Sequence, residues 1–159
     1  MGGDIIVTMD ADDTHSPFQI GSMLDLIEQG NDVVIASRYQ DGSTTTGVPP
    51  HRLAMTWFAR MLFKVILPIQ GVRDYTCGYR AYRVEALEEA MHHHQDKFFT
   101  ETGFSCMVDI ILKMRGFGFK FAEIPIELRY DQKPGESKMK VLRTAKETLS
   151  LIARRRLGL

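Results

Sequence analysis

A short apolar, β-branched run, Asp4-Ile5-Ile6-Val7-Thr8-Met9, ends abruptly in Asp10-Ala11-Asp12-Asp13. The run is too short for a stable helix and reads as a buried strand. The carboxylates then fall at its carboxyl end, where open α/β sheets present their ligands. Ser16-Pro17 reads as an N-cap followed by proline at the first helical position. Phe18, Ile20, Met23, Leu24 and Ile27 recur at helical spacing, and Gly30 closes that helix. Asp32–Ser37 (DVVIAS) is a second short buried strand. Strand, acidic loop, helix and strand make a βαβ unit, which predicts a parallel sheet and a right-handed crossover. A first strand with no element before it is either an edge or part of a longer sheet.

The remainder continues the α/β pattern. Tyr39–Pro50 is a polar loop rich in Gly, Ser, Thr and Pro. His51–Leu67 is a helix with a broad apolar face that includes Leu53, Met55, Trp57, Phe58, Met61, Leu62, Val65 and Ile66, expected to be core. Thr76–Arg83 is a strand or extended loop. Val84–His94 is a short helix with Leu87 and Met91 inward, and Thr102–Met114 another with Phe104, Met107, Val108, Ile111 and Leu112 inward. Lys120–Tyr130 alternates as a strand, with Pro125 marking an edge or bulge. Gln132–Ser137 is a charged loop, and Met139–Arg156 a last amphipathic helix. No internal repeat is visible.

Composition narrows the function. Twenty Lys+Arg balance twenty Asp+Glu, which argues against a broad basic surface for nucleic acid. Two cysteines, Cys77 and Cys106, are too few for a disulfide scaffold or a four-thiolate zinc site. Charge-free stretches such as Thr14–Leu24 fall far short of the roughly 20 residues that cross a bilayer. Residues 2–13 are acidic and lack the basic start of a signal peptide.

The chemistry concentrates in two places. Asp10 and Asp12, one residue apart in a turn, can hold a hard cation such as Mg²⁺ or Mn²⁺, with water and phosphate oxygens completing its shell. A solvated acidic turn is the plainer alternative. An EF-hand is excluded, because Gly21 stands where the bidentate Glu would be. The same string fits the DxDxT motif of haloacid-dehalogenase-like phosphatases, with Asp10 as nucleophile. That reading needs a later acidic pair, whereas Asp109 lies within a helix and Asp131 lacks a partner in its loop. The second place is basic. Arg38 follows the second strand, and Arg52 sits in the first turn of the next helix, where a cation opposes the helix dipole unless an anion is near. The pair suggests a phosphate pocket. The alternative is that Arg38 pairs with Asp10 or Asp12 and Arg52 is merely exposed. Further along, Gly78 in Arg73–Arg80 would let backbone approach a ligand. His92-His93-His94 reads as a helix end, since adjacent helical residues diverge.

In order and spacing, MDADD, ASRY, HR, RDYTCGYRAYR, AEIPI and GESK resemble family 2 glycosyltransferases, in particular the polyprenyl-phosphate sugar synthases of the dolichol-phosphate mannosyltransferase type. The resemblance runs from Gly3 to about Lys146. It implies a GT-A-type, Rossmann-like α/β fold with a mostly parallel sheet and flanking helices. Residues 1–159 would be a single catalytic domain, the C-terminal portion of a GT-A unit lacking roughly 60–90 residues of earlier βα units. The fragment alone is expected to be inactive.

The implied activity is metal-dependent, inverting transfer of a sugar, mannose or glucose, from a nucleotide sugar of the GDP-mannose or UDP-glucose class to a polyprenyl or dolichyl phosphate. Asp10 and Asp12 would hold Mg²⁺ or Mn²⁺ and the donor diphosphate. Ser137 and Lys138, with Gly135, would belong to a mobile loop closing on that diphosphate. Arg38, Arg52 and Thr56 would hold the acceptor phosphate, with Asp12, Arg38 and Arg52 the residues on which transfer depends. Asp13-Thr14 depart from the family's usual Leu-Gln or Leu-Ser, while His15 matches. A phosphate acceptor arrives as an anion, its second pKa being about 6, and needs no base. Glu101 and Asp109 are the plausible bases, and neither is expected to act. The basic last helix (Lys140, Arg143, Lys146, Arg154-Arg155-Arg156) suggests a peripheral position on the cytoplasmic face of a membrane, with a solvated basic terminal helix as the equal alternative. An inactive fragment that associates with a partner is the non-enzymatic alternative.

Overall fold

The computed structural model describes residues 3–101, 104–132 and 149–154. In chain order the elements are β1 (Ile5–Thr8), α1 (Ile20–Glu28), β2 (Val33–Ser37), β3 (Thr44–Thr46), α2 (Pro50–Ile66), β4 (Arg80–Arg83), α3 (Val84–His94), α4 (Phe104–Met114), β5 (Phe121–Pro125) and β6 (Glu127–Arg129). Residues 149–154 are helical. Four strands form the main sheet in the order β1-β4-β2-β5, and β3 pairs with β6 in a small second sheet. The helices flank this sheet, a mixed α/β architecture of the Rossmann-like, GT-A type.

β4 runs antiparallel to both β1 and β2, and β5 runs parallel to β2. Hence β1, β2 and β5 point the same way, and β4 alone is reversed. The βαβ unit expected from the sequence is present but split. Its strands are not neighbours, because β4 lies between them. Local periodicity announces strands; it carries no record of a later strand inserting between two earlier ones.

β2 is the floor of the core. All five of its residues are buried, and Met23 and Ile27 of α1 are buried with them. Fully burying a Val or Ile contributes about 1.5–3 kcal/mol. β1 corrects the expectation of a fully buried strand. It forms one edge of the sheet, with Ile5 and Val7 packed on the core and Ile6 exposed.

Three apolar stripes also depart from expectation. Phe18 is 92% exposed, because Pro17–Gln19 form a 3-10 turn whose tighter winding takes Phe18 off the face of α1. α2 buries only Phe63, while Leu53, Trp57, Phe58, Met61 and Val65 remain exposed. In α3 the buried stripe is Ala86 and Ala90; Leu87 is half-buried and Met91 exposed. α4 buries Val108, Ile111 and Leu112 as expected but leaves Met107 half-buried, while the Phe104 side chain lies outside the described residues; Asp109 and Lys113 are buried with them and form an ion pair at 2.5 Å.

The strand expected over Lys120–Tyr130 breaks after Pro125. β5 forms the other edge of the main sheet, and β6 leaves it to pair with β3. The polar loop after β2 is thereby anchored: Thr44 donates its N–H to Ile126 O at 2.9 Å. Gly47 sits at φ +76°, and a Cβ there would stand 2.7 Å from the Asp131 nitrogen, so this crossing requires glycine.

Candidate active site

Because β1 and β2 run in the same direction, their carboxyl ends open on the same end of the sheet. The acidic loop leaves one and Arg38 leaves the other. Between them enters β4, preceded by residues 74–79, which join the two sides.

Contacts within the loop itself help hold the acidic side. Asp13 turns the loop at φ +60°, which costs a non-glycine residue about 1 kcal/mol. The Thr14 hydroxyl and N–H donate to Asp12 Oδ1 at 2.6 and 3.4 Å. The Asp10 N–H donates to His15 Nδ1 at 3.2 Å. Asp10 is exposed, and a Cβ built on Gly78 would lie 3.6 Å from its Oδ1. That Cβ would also meet the Met107 side chain at 3.8 Å, so Gly78 lies between the Asp10 carboxylate and α4. Asp10 and Asp12 are the residues of this loop whose oxygens could hold a hard cation. Two carboxylates supply oxygen ligands, and no group of three or more His, Cys, Asp and Glu capable of holding a metal exists among the described residues. Such a pair leaves most coordination positions to water and phosphate, as Mg²⁺ and Mn²⁺ accept.

The basic side is built around Asp74, which sequence reasoning passed over. Arg38 pairs with Asp74, and not with Asp10 or Asp12. Its Nε and Nη2 donate to the two carboxylate oxygens at 2.7 and 2.6 Å, and its backbone N–H adds a third bond at 3.1 Å. Nη2 also donates to Thr76 Oγ1. Asp74 accepts further from the Thr76 N–H and hydroxyl and the Cys77 N–H. Burial alone would raise the Asp74 pKa, yet the Arg38 charge and these donors hold it below the ordinary carboxylate value. Burial likewise opposes the Arg38 charge, and Asp74 more than offsets it, raising that pKa. With Nε and Nη2 committed, Nη1 is the part of the Arg38 fork that makes no hydrogen bond among the described residues. The pair is neutral as a whole, so excess positive charge comes from other arginines.

Those are Arg52 and Arg60. Arg52 donates to the Tyr130 hydroxyl and lies 5.3 Å from the centre of that ring. Arg60 lies 4.4 Å from the centre of the Tyr39 ring, whose other neighbour is Arg38 at 5.8 Å. Arg60 carried no sequence signal beyond its place on α2. Arg38 and Thr56 line one cavity of about 340 Å³, with Tyr39, Leu53 and Trp57 on its walls. The Thr56 hydroxyl donates back into its own helix, to the carbonyls of Arg52 and Leu53 at 3.0 Å each. It reaches a ligand only by turning.

The connecting segment sets the spacing. Thr76 accepts from Arg38, and a Cβ added at Gly78 would meet the Asp10 carboxylate at ordinary contact distance; two residues of extended chain span about 7 Å. Glu123 of β5 fixes the start of the segment, accepting the N–H groups of Arg73 and Asp74 at 2.6 and 2.8 Å. Arg80, wholly buried, fixes its end by donating to the carbonyls of Tyr75 and Met107. Burial and Asp74 push the Cys77 thiol up to about 12, which removes it as a nucleophile near neutral pH. Glu101 is paired with Arg154 at 2.9 Å and Asp109 with Lys113, so both candidate bases are engaged in ion pairs. Gly135, Ser137 and Lys138 lie outside the described residues, as do Lys140, Arg143, Lys146, Arg155 and Arg156.

A mixed α/β sheet of GT-A type, with a two-carboxylate loop and an arginine group at one end, defines the class. The chain belongs to glycosyl transferase family 2, whose pattern matches residues 1–91. It is 34% identical over 138 residues to a polyprenol monophosphomannose synthase of Mycolicibacterium smegmatis, covering 87% of this chain and 50% of that protein. It is 32% identical over 139 residues to an undecaprenyl-phosphate mannosyltransferase of Micrococcus luteus, covering 87% and 54%. A dolichol-phosphate mannosyltransferase of Pyrococcus furiosus is 32% identical over 139 residues, covering 87% and 37%. The chain thus spans about half the length of these relatives, or less.

Proposed function

We propose that this chain contributes the acceptor side and the metal loop of a glycosyltransferase that moves a hexose, mannose first, from a nucleotide sugar to a polyprenyl phosphate. One observation carries the reading: the two-carboxylate loop follows β1 and Arg38 follows β2, so both leave the carboxyl ends of strands that point the same way in one sheet. The relatives named as polyprenyl-phosphate mannosyltransferases support the choice of sugar and acceptor.

In this reading Asp10 and Asp12 hold Mg²⁺ or Mn²⁺ beside the donor diphosphate, to which Ser137 and Lys138 also belong. Arg38, Arg52 and Arg60 hold the acceptor phosphate, with Thr56 assisting after rotation. A phosphate oxygen attacks the anomeric carbon as the bond to the diphosphate breaks, inverting that centre. The electron pair leaves on the nucleoside diphosphate. When bound, the cation neutralises that leaving group. No proton need be removed from the acceptor, since it arrives ionised, and alignment by fixed arginines supplies the rest.

The exposed face of α2 suits a lipid acceptor. Leu53 and Trp57 line the cavity that holds Arg38, and Met61 and Val65 continue the stripe at four-residue spacing. An apolar stripe leading out of an arginine pocket matches a phosphate head on a prenyl tail, and would rest on the cytoplasmic face of a membrane. No helix among the described residues is long and apolar enough to cross one.

The test is transfer of radiolabel from GDP-mannose or UDP-glucose to a short polyprenyl phosphate, using the protein that carries this chain. A lipid-extractable product that disappears in Asp12→Ala supports the reading. Absence of product with both donors, or full activity in Asp12→Ala, overturns it.

A further inference from the structure

His15 has no place in the chemistry above, yet it is buried and closes the acidic loop. Its Nδ1 lies 3.2 Å from the Asp10 backbone nitrogen. A backbone N–H can only donate, so Nδ1 must carry the lone pair and the ring proton must sit on Nε2. The ring is itself held. It stacks on Tyr79 at 5.0 Å between centres and 20° between planes, and the Tyr79 hydroxyl donates to Ser16 O at 2.8 Å. The His15 backbone bridges to Leu128. His15 thus joins Tyr79, which directly precedes β4, and Leu128 of β6 to the first residue of the acidic loop.

We propose that His15 is the positioning residue of the carboxylate pair, acting through its Nδ1 lone pair on the Asp10 amide so that Asp10 and Asp12 converge on one cation. This rests on the metal reading given above. Thr14 performs the matching task on the other carboxylate, donating to Asp12 Oδ1. Each aspartate is then held from a different direction, Asp10 by its backbone and Asp12 by its side chain. Metal-site partners of this indirect kind typically change affinity by 10–100-fold when removed.

Two substitutions separate positioning from packing. His15→Phe keeps a ring against Tyr79 and removes the acceptor. His15→Asn removes the ring and places its Oδ1 close to where Nδ1 stands. Mn²⁺ binding to the 159-residue chain is followed by the loss of the free-ion electron paramagnetic resonance signal, with Asp10→Asn as the site control. The expected pattern is about tenfold weaker binding in His15→Phe, recovery to within about threefold in His15→Asn, and loss in Asp10→Asn. If Asp10→Asn binds poorly but His15→Phe binds like the parent, or His15→Asn binds no better than His15→Phe, the positioning role is overturned while the metal reading stands. If Asp10→Asn binds normally, the metal reading fails and takes this proposal with it. A second readout needs no substitution: ¹⁵N spectra of the imidazole identify the protonated nitrogen. A proton on Nε2 supports the role, and a proton on Nδ1 overturns it whatever the variants do.

Discussion

Asp74, which holds the arginine after β2, and Asp10, which follows β1, stand at one end of the sheet in opposite surroundings. The Asp74 carboxylate is buried and accepts from Arg38, Thr76 and Cys77. The Asp10 carboxylate is exposed and has no hydrogen-bond donor among the described residues. The first is an internal counter-ion that aims an arginine. The second faces solvent, where the reading proposed above gives it a cation to hold. A buried charge must be paired within the fold, since desolvation is costly, whereas an exposed carboxylate remains available to a cation. The contrast separates residues that shape this site from those that engage its ligands.

Removing the internal counter-ion has the largest expected effect. Asp74→Ala leaves Arg38 without its partner in a half-closed pocket and strips acceptors from the Thr76 and Cys77 amides. Breaking such a pair costs about 3–5 kcal/mol. Urea unfolding of the 159-residue chain measures it. A loss below about 1 kcal/mol would erase the distinction between the two aspartates.

Acid probes the same pair from another direction. The folded-state pKa of Asp74 lies below its ordinary value of 3.8, so its stabilisation is present above that value and is lost as pH falls through the folded one. Glu123 opposes it: burial pushes its pKa above 4.5, so ionising it costs stability, and acidification removes that cost first. Urea midpoints measured between about pH 2 and 6 should therefore fall steeply only at the acid end. Asp74→Asn should flatten that limb. Glu123→Gln keeps an amide oxygen for the Arg73 and Asp74 N–H groups and should steepen the overall decline, because the compensating gain is gone.

A smaller effect is expected where the loop after β2 crosses the segment after β6. Gly47→Ala forces a side chain into φ +76° against the Asp131 backbone. Strain of this kind costs about 1–3 kcal/mol. It should also loosen the contact between Arg52 and Tyr130, measurable as changed tyrosine fluorescence.

The strands, most helices and both poles of the site were legible because each has a local signature: a β-branched run before carboxylates, an arginine directly after a strand, glycine at helix ends. What connects them was not. Asp74 sits 36 residues from Arg38, and no spacing rule links a strand end to a loop beyond the next helix. β4 slides between β1 and β2 for a reason no window of sequence displays. The face of α2 misled in a different way. Leu53, Trp57 and Val65 have core spacing, but periodicity reports that a face is apolar without saying what covers it. The Arg38 alternative erred likewise, since nearness in sequence pointed to Asp10 and Asp12 while the fold supplied Asp74.

The smallest effect is the sharpest. Asp10, Asp12 and Asp13 crowd three carboxylates into four residues, so without a cation Asp10→Asn relieves repulsion. Its stability should lie within about 0.5 kcal/mol of the parent, on the stabilising side. Saturating Mn²⁺ reverses the order. At ten times its dissociation constant a cation stabilises the parent by about 1.4 kcal/mol, and Asp10→Asn forgoes that gain. Thermal unfolding with and without Mn²⁺ should show the two curves exchange places. If they do not cross, the Asp10 carboxylate is an ordinary surface charge, and the site has only one functional side.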